Sequence, residues 1–323
     1  MLYRNRKTPA LTTLALVAAL LVALALPLGG CSSSDGASGE PAEETATTTT
    51  ATFPVTVTDD AGREVTIKAA PERIVSLAPA NTEIVAALGM IDELVGVTTF
   101  DDYPPEVVDL PKMGDFVTPN MEAIAAAEPD IILATTGVQA DVITKLEQTG
   151  AVVVAVDPQN LEQLYSSIGM LGKVLGEPDK AAKIVDDMRA GIDYITTIVS
   201  AEESATCFIE IAQDPLFTAG KGTLLDDLIA VAGGVNVVTQ DGYIGYSLEQ
   251  LVTDNPQVYL ATKGSMSDPA DLAKRPGYDK LAAVAGERVA VLDDNLISRP
   301  GPRVVEGVGE LAVALHPGLF TKK

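Results

Sequence analysis

Two stretches of this chain repeat each other, and the repeat limits the possible folds more than any other feature of the sequence. NMEAIAAAEPDIIL occupies positions 120–133 and SLEQLVTDNPQVYL occupies 247–260, so the two copies match at a constant offset of 127 residues. In each copy, an Asn or Ser that can cap a helix opens a short helical pattern, and a proline separates that pattern from an apolar run. The same helix and strand unit occurring twice predicts two similar lobes.

Each copy places a glutamate, Glu122 or Glu249, at the second position of its predicted helix. A glutamate in the first turn can simply stabilise the helix dipole, by about 0.3–1 kcal/mol. The duplication favours a second interpretation, because two lobes would present the two carboxylates symmetrically. That arrangement suits docking onto a partner with two equivalent basic pockets, such as a dimeric membrane protein.

Short apolar runs alternate with helical patterns along most of the chain, which predicts parallel, doubly wound sheets of the α/β class. A β-hairpin is predicted first, over 55–67, around an Asp-Asp-Ala-Gly turn. The predicted strands that follow it are 74–77, 95–97, 131–134, 152–156, 206–211, 235–238, 258–261 and 289–292.

A long helical pattern divides these strands into two series. Apolar residues keep a helical period from Leu161 to about Val199, with one interruption at 176–178, where Pro178 is expected to kink or divide the helix. A helix that links two lobes is stiffer than a pair of loops, so we expect little hinge bending. The predicted organisation is an N-terminal α/β lobe, a long bridging helix and a C-terminal α/β lobe, at 53–160, 161–200 and 201–323.

The segment before the first lobe has the composition of an export signal. Three basic residues precede an almost wholly apolar run at 11–28, which predicts a secretory signal peptide over 1–30, followed by Cys31. A retained transmembrane anchor is the alternative, since the run is long enough to span a bilayer. No large apolar side chain occurs at 32–52, so 31–52 is predicted to be a disordered tether.

The negative charge of the chain disfavours polyanionic partners. Its 45 acidic and 22 basic residues give a formal net charge of −23, which repels nucleic acid and anionic membrane surfaces. Cys207 is the only cysteine besides Cys31, and we predict a buried, inert thiol there.

Catalytic motifs are present only as fragments. The segment Gly-Lys-Gly-Thr at 220–223 suggests a phosphate loop, but the complete pattern fails at Pro215 and Gly222. A dinucleotide-like glycine pattern at 307–312 lies inside a predicted helix instead of a strand-to-helix turn. The single histidine, His316, is placed to cap the last helix. One histidine cannot form a His-rich metal site, and it leaves only one candidate base for a Ser-His-Asp triad. We therefore predict a binding protein with no catalytic residues and no metal site, not an enzyme.

Five segments carry a family resemblance. They are RIVSLAPANTEIVAALG (73–89), FDDYPPEV (100–107), NMEAIAAAEPDIIL (120–133), PLFTAGKGT (215–223) and SRPGPRVVEGVGELAVALHPGLF (298–320). They resemble, in the right order, the substrate-binding proteins of ABC importers for cobalamin, ferric siderophores and haem, and SLAPANTE and DYPP are most similar to the cobalamin-binding branch. The resemblance implies two Rossmann-like lobes joined by a bridging helix, a ligand cleft between the lobes, and one surface glutamate per lobe for transporter docking. Glu122 and Glu249 match those glutamates.

The same resemblance assigns ligand contacts to the cleft. Four aromatic positions match the family's cleft aromatics: Phe100, Phe116, Phe217 and Tyr243. Pro79 and Ala80 would form a backbone floor, Asn295 stands where the family has an acid, and Arg299 matches the neighbouring arginine. All of these positions are predicted to lie in loops after strands, where open α/β sheets bind ligands.

The resemblance implies a transported ligand and no resident cofactor. We predict a monomer that is anchored to the cell membrane through lipid on Cys31, as in the lipobox of bacterial lipoproteins, with its body outside the cytoplasm. It would capture a corrinoid such as cobalamin and deliver it to an ABC permease dimer with a cytoplasmic ATPase.

Two alternatives remain at the level of the sequence. A ferric siderophore or haem receptor is one, because Arg299 and Arg303 could pair with ligand carboxylates, and a tyrosine such as Tyr243 could ligate haem iron. Tyr103 and Tyr246 are further candidates for that ligand, whereas His316 is poorly placed. An enzyme or a signalling receptor on the same fold is the alternative from another class, since fold alone does not fix function.

Overall fold

The N-terminal lobe is a four-stranded parallel sheet preceded by a hairpin. The structure is a computed structural model that describes residues 52–263, 266–267 and 269–320. The elements of this lobe are β1 (Val55–Thr58), β2 (Glu64–Ile67), β3 (Ile74–Ser76), α1 (Pro79–Ala87), β4 (Leu94–Gly96), α2 (Met121–Ala126), β5 (Ile131–Ala134), α3 (Ala140–Glu147) and β6 (Val152–Ala155). Strands β1 and β2 pair antiparallel, and the parallel sheet has the order β4-β3-β5-β6.

Local sequence explains these elements. Every residue of β3 and β5 is buried, as expected for apolar runs in a parallel sheet that is covered on both faces. In the hairpin turn, Gly62 has a φ of 73°, and Asp59 Oδ1 accepts hydrogen bonds from the backbone N–H groups of Ala61 and Arg63. The turn therefore has the aspartate and the glycine that such conformations favour.

Two helices, α4 (Leu161–Leu175) and α5 (Pro178–Val199), occupy the predicted bridging span. The Asn160 side chain caps α4, Gly176 ends it in the left-handed region with a φ of 86°, and Pro178 is the first residue of α5. The predicted interruption thus divides the span instead of kinking one helix.

The C-terminal lobe contains a second four-stranded parallel sheet. The strands and helices of this lobe are β7 (Ala205–Glu210), β8 (Ala212–Gln213), β9 (Leu216–Ala219), α6 (Leu224–Val231), β10 (Gly234–Asn236), β11 (Tyr243–Gly245), α7 (Leu248–Asp254), β12 (Val258–Thr262), α8 (Ala282–Ala285), β13 (Val289–Leu292), α9 (Asp294–Ile297), α10 (Val304–Leu315) and α11 (Pro317–Phe320). The parallel sheet has the order β10-β7-β12-β13. Short 3-10 helices occupy Pro105–Val107, Pro269–Lys274 and Tyr278–Lys280. A small antiparallel sheet of order β11-β9-β8, which the sequence patterns did not predict, accompanies the parallel one.

The two parallel sheets share one topology. In each, the first strand pairs with the second on one side and with the third on the other, and the fourth strand lies beyond the third. The repeated helices α2 and α7 both precede the third strand of their sheet. The α/β fold class with two similar lobes, predicted from the repeat, is therefore confirmed.

Helix α5 connects the lobes by packing. The largest apolar core includes buried residues of α4, α5 and α10, such as Leu171, Ile192 and Leu311. A Cβ atom on Gly191 of α5 would lie 2.7 Å from Val305 Cγ1 of α10, so glycine permits the close approach of these helices. A shared core of this kind supports the predicted stiffness of the connection.

Within the described residues, no helix has the length and apolar character needed to cross a membrane. The predicted signal peptide over 1–30, Cys31 and all but the last residue of the predicted tether lie outside those residues.

Candidate functional site

The two repeated helices begin with matching caps. Asn120 Oδ1 accepts hydrogen bonds from the N–H groups of Glu122 and Ala123 at 3.1 Å, and Ser247 Oγ accepts one from Gln250 N–H at 3.1 Å. The predicted caps are confirmed. Glu122 and the corresponding Glu249 follow their caps by two residues, and both side chains are exposed.

The copies also end alike. Ile124 and Leu251 are fully buried and hold the two helices on their lobes. Glu128 and Asn255 follow their helices, and each has a φ of 44° and immediately precedes a proline. The repeat therefore fixes each glutamate on a short, capped and anchored helix, and its docking role remains a prediction.

A buried glutamine, Gln139, organises the strand ends of the N-terminal lobe. Its Nε2 donates to the carbonyl oxygens of Leu77 at 2.7 Å and Phe116 at 2.8 Å, and its Oε1 accepts from Thr135 N–H at 3.1 Å. Leu77 and Thr135 directly follow β3 and β5, so the Phe116 loop is held at the carboxyl ends of those strands. The sequence patterns did not single out Gln139, because two of its three partners, Leu77 and Phe116, are 62 and 23 residues away in the sequence.

Phe217 and Tyr243 lie in the small antiparallel sheet, which corrects their predicted loop placement. Tyr243 pairs with Ala219 and Gly245 pairs with Phe217, so both aromatic residues share one face of the sheet as diagonal neighbours. Side chains of the opposite face, including Ile244, pack against the core of the C-terminal lobe. The face that carries Phe217 and Tyr243 therefore points away from that core.

Carboxylates of both lobes affect the phenol of Tyr243. The residue is 48% exposed. Desolvation is the main cause that raises the pKa of the Tyr243 phenol, and the carboxylates of Asp157 and Asp294 raise it further. Asp157 follows β6 in the N-terminal lobe, whereas Asp294 begins α9. The Tyr243 phenol therefore stays protonated and able to donate at neutral pH.

An ion-pair network joins the lobes at a second place. Glu83 of α1 is 3% exposed, and Arg303 donates to it through Nε at 2.9 Å and Nη2 at 2.5 Å. Arg299 donates to the same carboxylate through Nη1 at 3.2 Å. The hydrogen bond with Glu83 is the main cause that raises the pKa of Arg303. The arginine predicted to contact ligand, Arg299, is therefore bound by a protein carboxylate.

The loop after β4 is the second partner in this network. Arg299 Nη1 lies 2.6 Å from Asp102 Oδ1, and Arg299 Nη2 lies 3.3 Å from the carbonyl oxygen of Phe100. Asn295 Nδ2 lies 3.3 Å from Asp102 Oδ2. The guanidinium of Arg303 lies 3.9 Å from the centre of the Tyr103 ring. Arg299 and Asn295 are brought together as predicted, but the contacts that they make are with the opposite lobe.

Pro79 and Ala80, the predicted floor of the cleft, form the first turn of α1 directly after β3. Ala80 is 8% exposed. A Cβ on Gly301 would lie 3.7 Å from the Ala80 carbonyl oxygen, so this turn adjoins the segment that carries both arginines. Pro79, Ala80 and Asn295 thus lie in first turns of helices, not in the loops predicted.

A polar cavity of 470 Å³ lies at the carboxyl ends of β5 and β6, and it is lined by Asp60, Thr136, Asp157, Gln159 and Gln163. The Thr136 hydroxyl donates to Asp157 Oδ2. Asp60, from the hairpin turn, accepts hydrogen bonds from Asp157 N–H at 2.7 Å and Ser167 Oγ at 2.8 Å. Burial is the main cause that raises the Asp60 pKa. None of the described residues form a group of three or more His, Cys, Asp or Glu side chains that could hold a metal ion.

Two α/β lobes of equal strand order, with aromatic and polar side chains at the carboxyl ends of their strands, define a two-lobe ligand-binding protein. Residues 74–296 match the periplasmic binding protein family, and the chain belongs to that family.

Individual relatives are similar over most of their length. A Bacillus subtilis protein described as the uncharacterized ABC transporter substrate-binding lipoprotein YvrC is 38% identical over 315 residues, which cover 94% of this chain and 97% of that one. The crystal structure of the periplasmic vitamin B12 binding protein BtuF of Vibrio cholerae has a TM-score of 0.68 and 28% identity, covering 76% of this chain and 97% of that one. A periplasmic heme binding protein from Pseudomonas aeruginosa has a TM-score of 0.69 and 30% identity, covering 76% and 93%. The predicted family resemblance is confirmed.

Proposed function

We propose that this protein captures a corrinoid outside the cytoplasm and delivers it to the permease of an ABC importer. The observation that carries the proposal is the set of aromatic residues near the strand ends of both lobes, namely Phe100, Phe116, Phe217 and Tyr243. Flat apolar faces suit a macrocyclic ligand, and pockets for small molecules combine such faces with a few polar groups. The Vibrio cholerae protein described as vitamin B12 binding has the same fold at 28% identity, which supports this ligand class.

The ion pairs between the lobes favour a corrinoid over an anionic ligand. A haem or a carboxylate siderophore would need cations to pair with its acidic groups. Arg299 and Arg303 are the arginines at this position, and Glu83 and Asp102 already accept their hydrogen bonds. Their use for a ligand would leave Glu83 buried without a partner, which is costly.

Haem remains the second candidate because a periplasmic heme binding protein is among the similar structures. Its iron would need an axial His, Tyr or Met. His316 is buried, with Nε2 3.2 Å from the Gly233 carbonyl oxygen, and Tyr246 donates its hydroxyl to Asp254. Tyr103 is stacked on Arg303, which leaves Tyr243 as the remaining candidate of the three tyrosines, although its raised pKa opposes the phenolate form that binds iron.

Titration of the purified protein with cyanocobalamin, hemin and a ferric hydroxamate, followed by absorbance, tests the ligand. We expect saturable binding of cyanocobalamin, and saturation by hemin or the hydroxamate alone would contradict the corrinoid assignment. Phe116→Ala and Tyr243→Ala should each weaken binding by about ten- to a hundredfold, since such a ring contact contributes ~1–3 kcal/mol. Tyr194→Ala is the matched control and should bind normally, because Tyr194 lies on α5 and is 61% exposed.

Delivery to a permease dimer with its ATPase is proposed to use Glu122 and Glu249. Their glutamine variants should keep the helices, because the caps are Asn120 and Ser247, and should keep ligand affinity. Removing a docking charge costs about 2–5 kcal/mol when the ion pair is buried, and much less at a wet rim. In a reconstituted importer, the double variant should therefore lose transporter binding and uptake, more so than either single variant.

Two controls separate docking from general charge loss. Glu202→Gln with Glu203→Gln removes the same charge from exposed positions after α5 and should leave uptake unchanged. Normal uptake by the Glu122 and Glu249 double variant would instead show that the repeated glutamates only support their helices.

We also propose that the protein acts without catalysis and is held at the outer face of the cytoplasmic membrane by lipid on Cys31. The similarity to a protein described as a substrate-binding lipoprotein supports both points.

A further inference from the structure

Side chains of the C-terminal lobe hold the loop that carries Phe100 in the N-terminal lobe. Arg299 donates to the Phe100 carbonyl oxygen at 3.3 Å and to Asp102 at 2.6 Å, and Asn295 donates to the other Asp102 oxygen at 3.3 Å. Every donor in these contacts follows β13, and every acceptor follows β4. The backbone at Phe100 and just after it is therefore held from the opposite lobe.

Three of the five N–H donors of the Arg299 guanidinium have protein acceptors. It also donates to Glu83 at 3.2 Å, so two carboxylates and one carbonyl oxygen surround it. Its side chain is 15% exposed, whereas the Phe100 residue is 57% exposed. A planar guanidinium with a fixed set of donors binds such an arrangement of acceptors well. The exposed group at this place is the ring and not the cation.

We propose that Arg299 is a positioning residue for Phe100 and does not contact the ligand, and that Asn295 acts in the same way through Asp102. The inference rests on the proposed function, because it says how one ligand-contacting ring is held. A loop that is ordered before the ligand arrives loses less conformational freedom on binding, so affinity rises without any added contact. The two lobes then act together on the ligand through the backbone of this loop.

The sequence offers a direct probe, since the chain contains no tryptophan. In a Phe100→Trp variant, all indole emission comes from position 100. Asp102→Asn and Arg299→Gln in that background should each lower the steady-state anisotropy of the emission and increase its quenching by acrylamide. Arg189→Gln, which removes an exposed ion pair with Glu162, is the matched control and should change neither. This measurement needs no ligand, so it tests the inference even if the corrinoid assignment fails.

A double-mutant cycle with cyanocobalamin as the probe separates positioning from direct contact. Arg299→Gln should weaken binding by about tenfold in the wild-type background, if the ring is displaced. In a Phe100→Ala background the same change should have an effect within about twofold, because the positioned ring is absent. Asp102→Asn should behave in the same way while leaving the ion pairs of Glu83 in place, and thermal unfolding confirms that the variants are folded.

Two results would overturn the inference. One is an equal loss of affinity on Arg299→Gln with and without the Phe100 ring, which would mean that the guanidinium touches the ligand. The other concerns the Phe100→Trp background: it is an indole emission whose anisotropy and acrylamide quenching change neither on Asp102→Asn nor on Arg299→Gln. Absence of cyanocobalamin binding by the wild type would refute the corrinoid proposal instead, and the fluorescence result would then decide the inference alone.

Discussion

Replacement of Glu83 by glutamine should destabilise the protein strongly. Glu83 is 3% exposed and accepts three hydrogen bonds from two arginines of the other lobe, whose side chains are 15% and 16% exposed. Removing one partner of a buried ion pair costs about 3–5 kcal/mol, since the remaining charge keeps its desolvation cost. Here Arg299 keeps Asp102 and Arg303 keeps the Tyr103 ring, so we expect the lower end, about 3 kcal/mol.

Denaturant unfolding and thermal unfolding, both followed by circular dichroism, measure this loss. At about 2–4 °C per kcal/mol for a chain of this size, the melting temperature should fall by roughly 6–12 °C. Glu162→Gln is the matched control, because Glu162 also forms a two-point pair with an arginine, Arg189, at 3.0 and 2.8 Å, but on the surface. An exposed pair contributes about 0–1 kcal/mol. Equal losses in the two variants would refute the view that burial makes the interlobe network strong.

Further predictions concern single side chains. Burial raises the pKa of Cys207 to about 12, so a thiol reagent should label this cysteine only as fast as the protein unfolds. Labelling of a Cys31→Ala protein at increasing urea concentrations measures this. Asn120→Ala should cost about 1 kcal/mol in urea unfolding through loss of the α2 cap. Desolvation raises the pKa of Asp101 in the folded protein. Wild-type stability therefore falls as pH rises from the unfolded-state pKa of this carboxyl group to its folded-state pKa. Asp101→Asn lacks this loss, so its stability relative to the wild type should increase from pH 3 to pH 7. Cys31→Ala should release the protein from the membrane fraction, and retention with an intact N-terminus would support a transmembrane anchor.

Features fixed by neighbouring residues were predictable from the sequence. The buried strands β3 and β5 are continuous apolar runs, and the caps at Asn120 and Ser247 contact residues two or three positions away. The offset of 127 residues between the repeats also identified equivalent strands in the two lobes. Periodicity and capping are local signals, so they can be recognised in the sequence without knowledge of the tertiary structure.

The small antiparallel sheet was missed because its strands are too short to show a period. β8 has two residues and β11 has three, and Gly245 interrupts the apolar pattern of β11. Phe217 and Tyr243 were therefore predicted in loops. Their shared face follows from the pairing of β9 with β11, and pairing between strands cannot be read from either strand alone.

Long-range ion pairs surround Arg299, and the sequence could not predict them. Arg299 and Glu83 are 216 residues apart in the sequence, and Arg303 and Glu83 are 220 apart. A motif can show that an arginine occurs near a cleft, but the partner that occupies its donors depends on how the lobes pack. The same packing holds Glu83 of α1 against the segment between α9 and α10. Sequence motifs thus predict which side chains lie near the carboxyl ends of the strands. The contacts between the lobes decide which of these side chains remain available to a ligand.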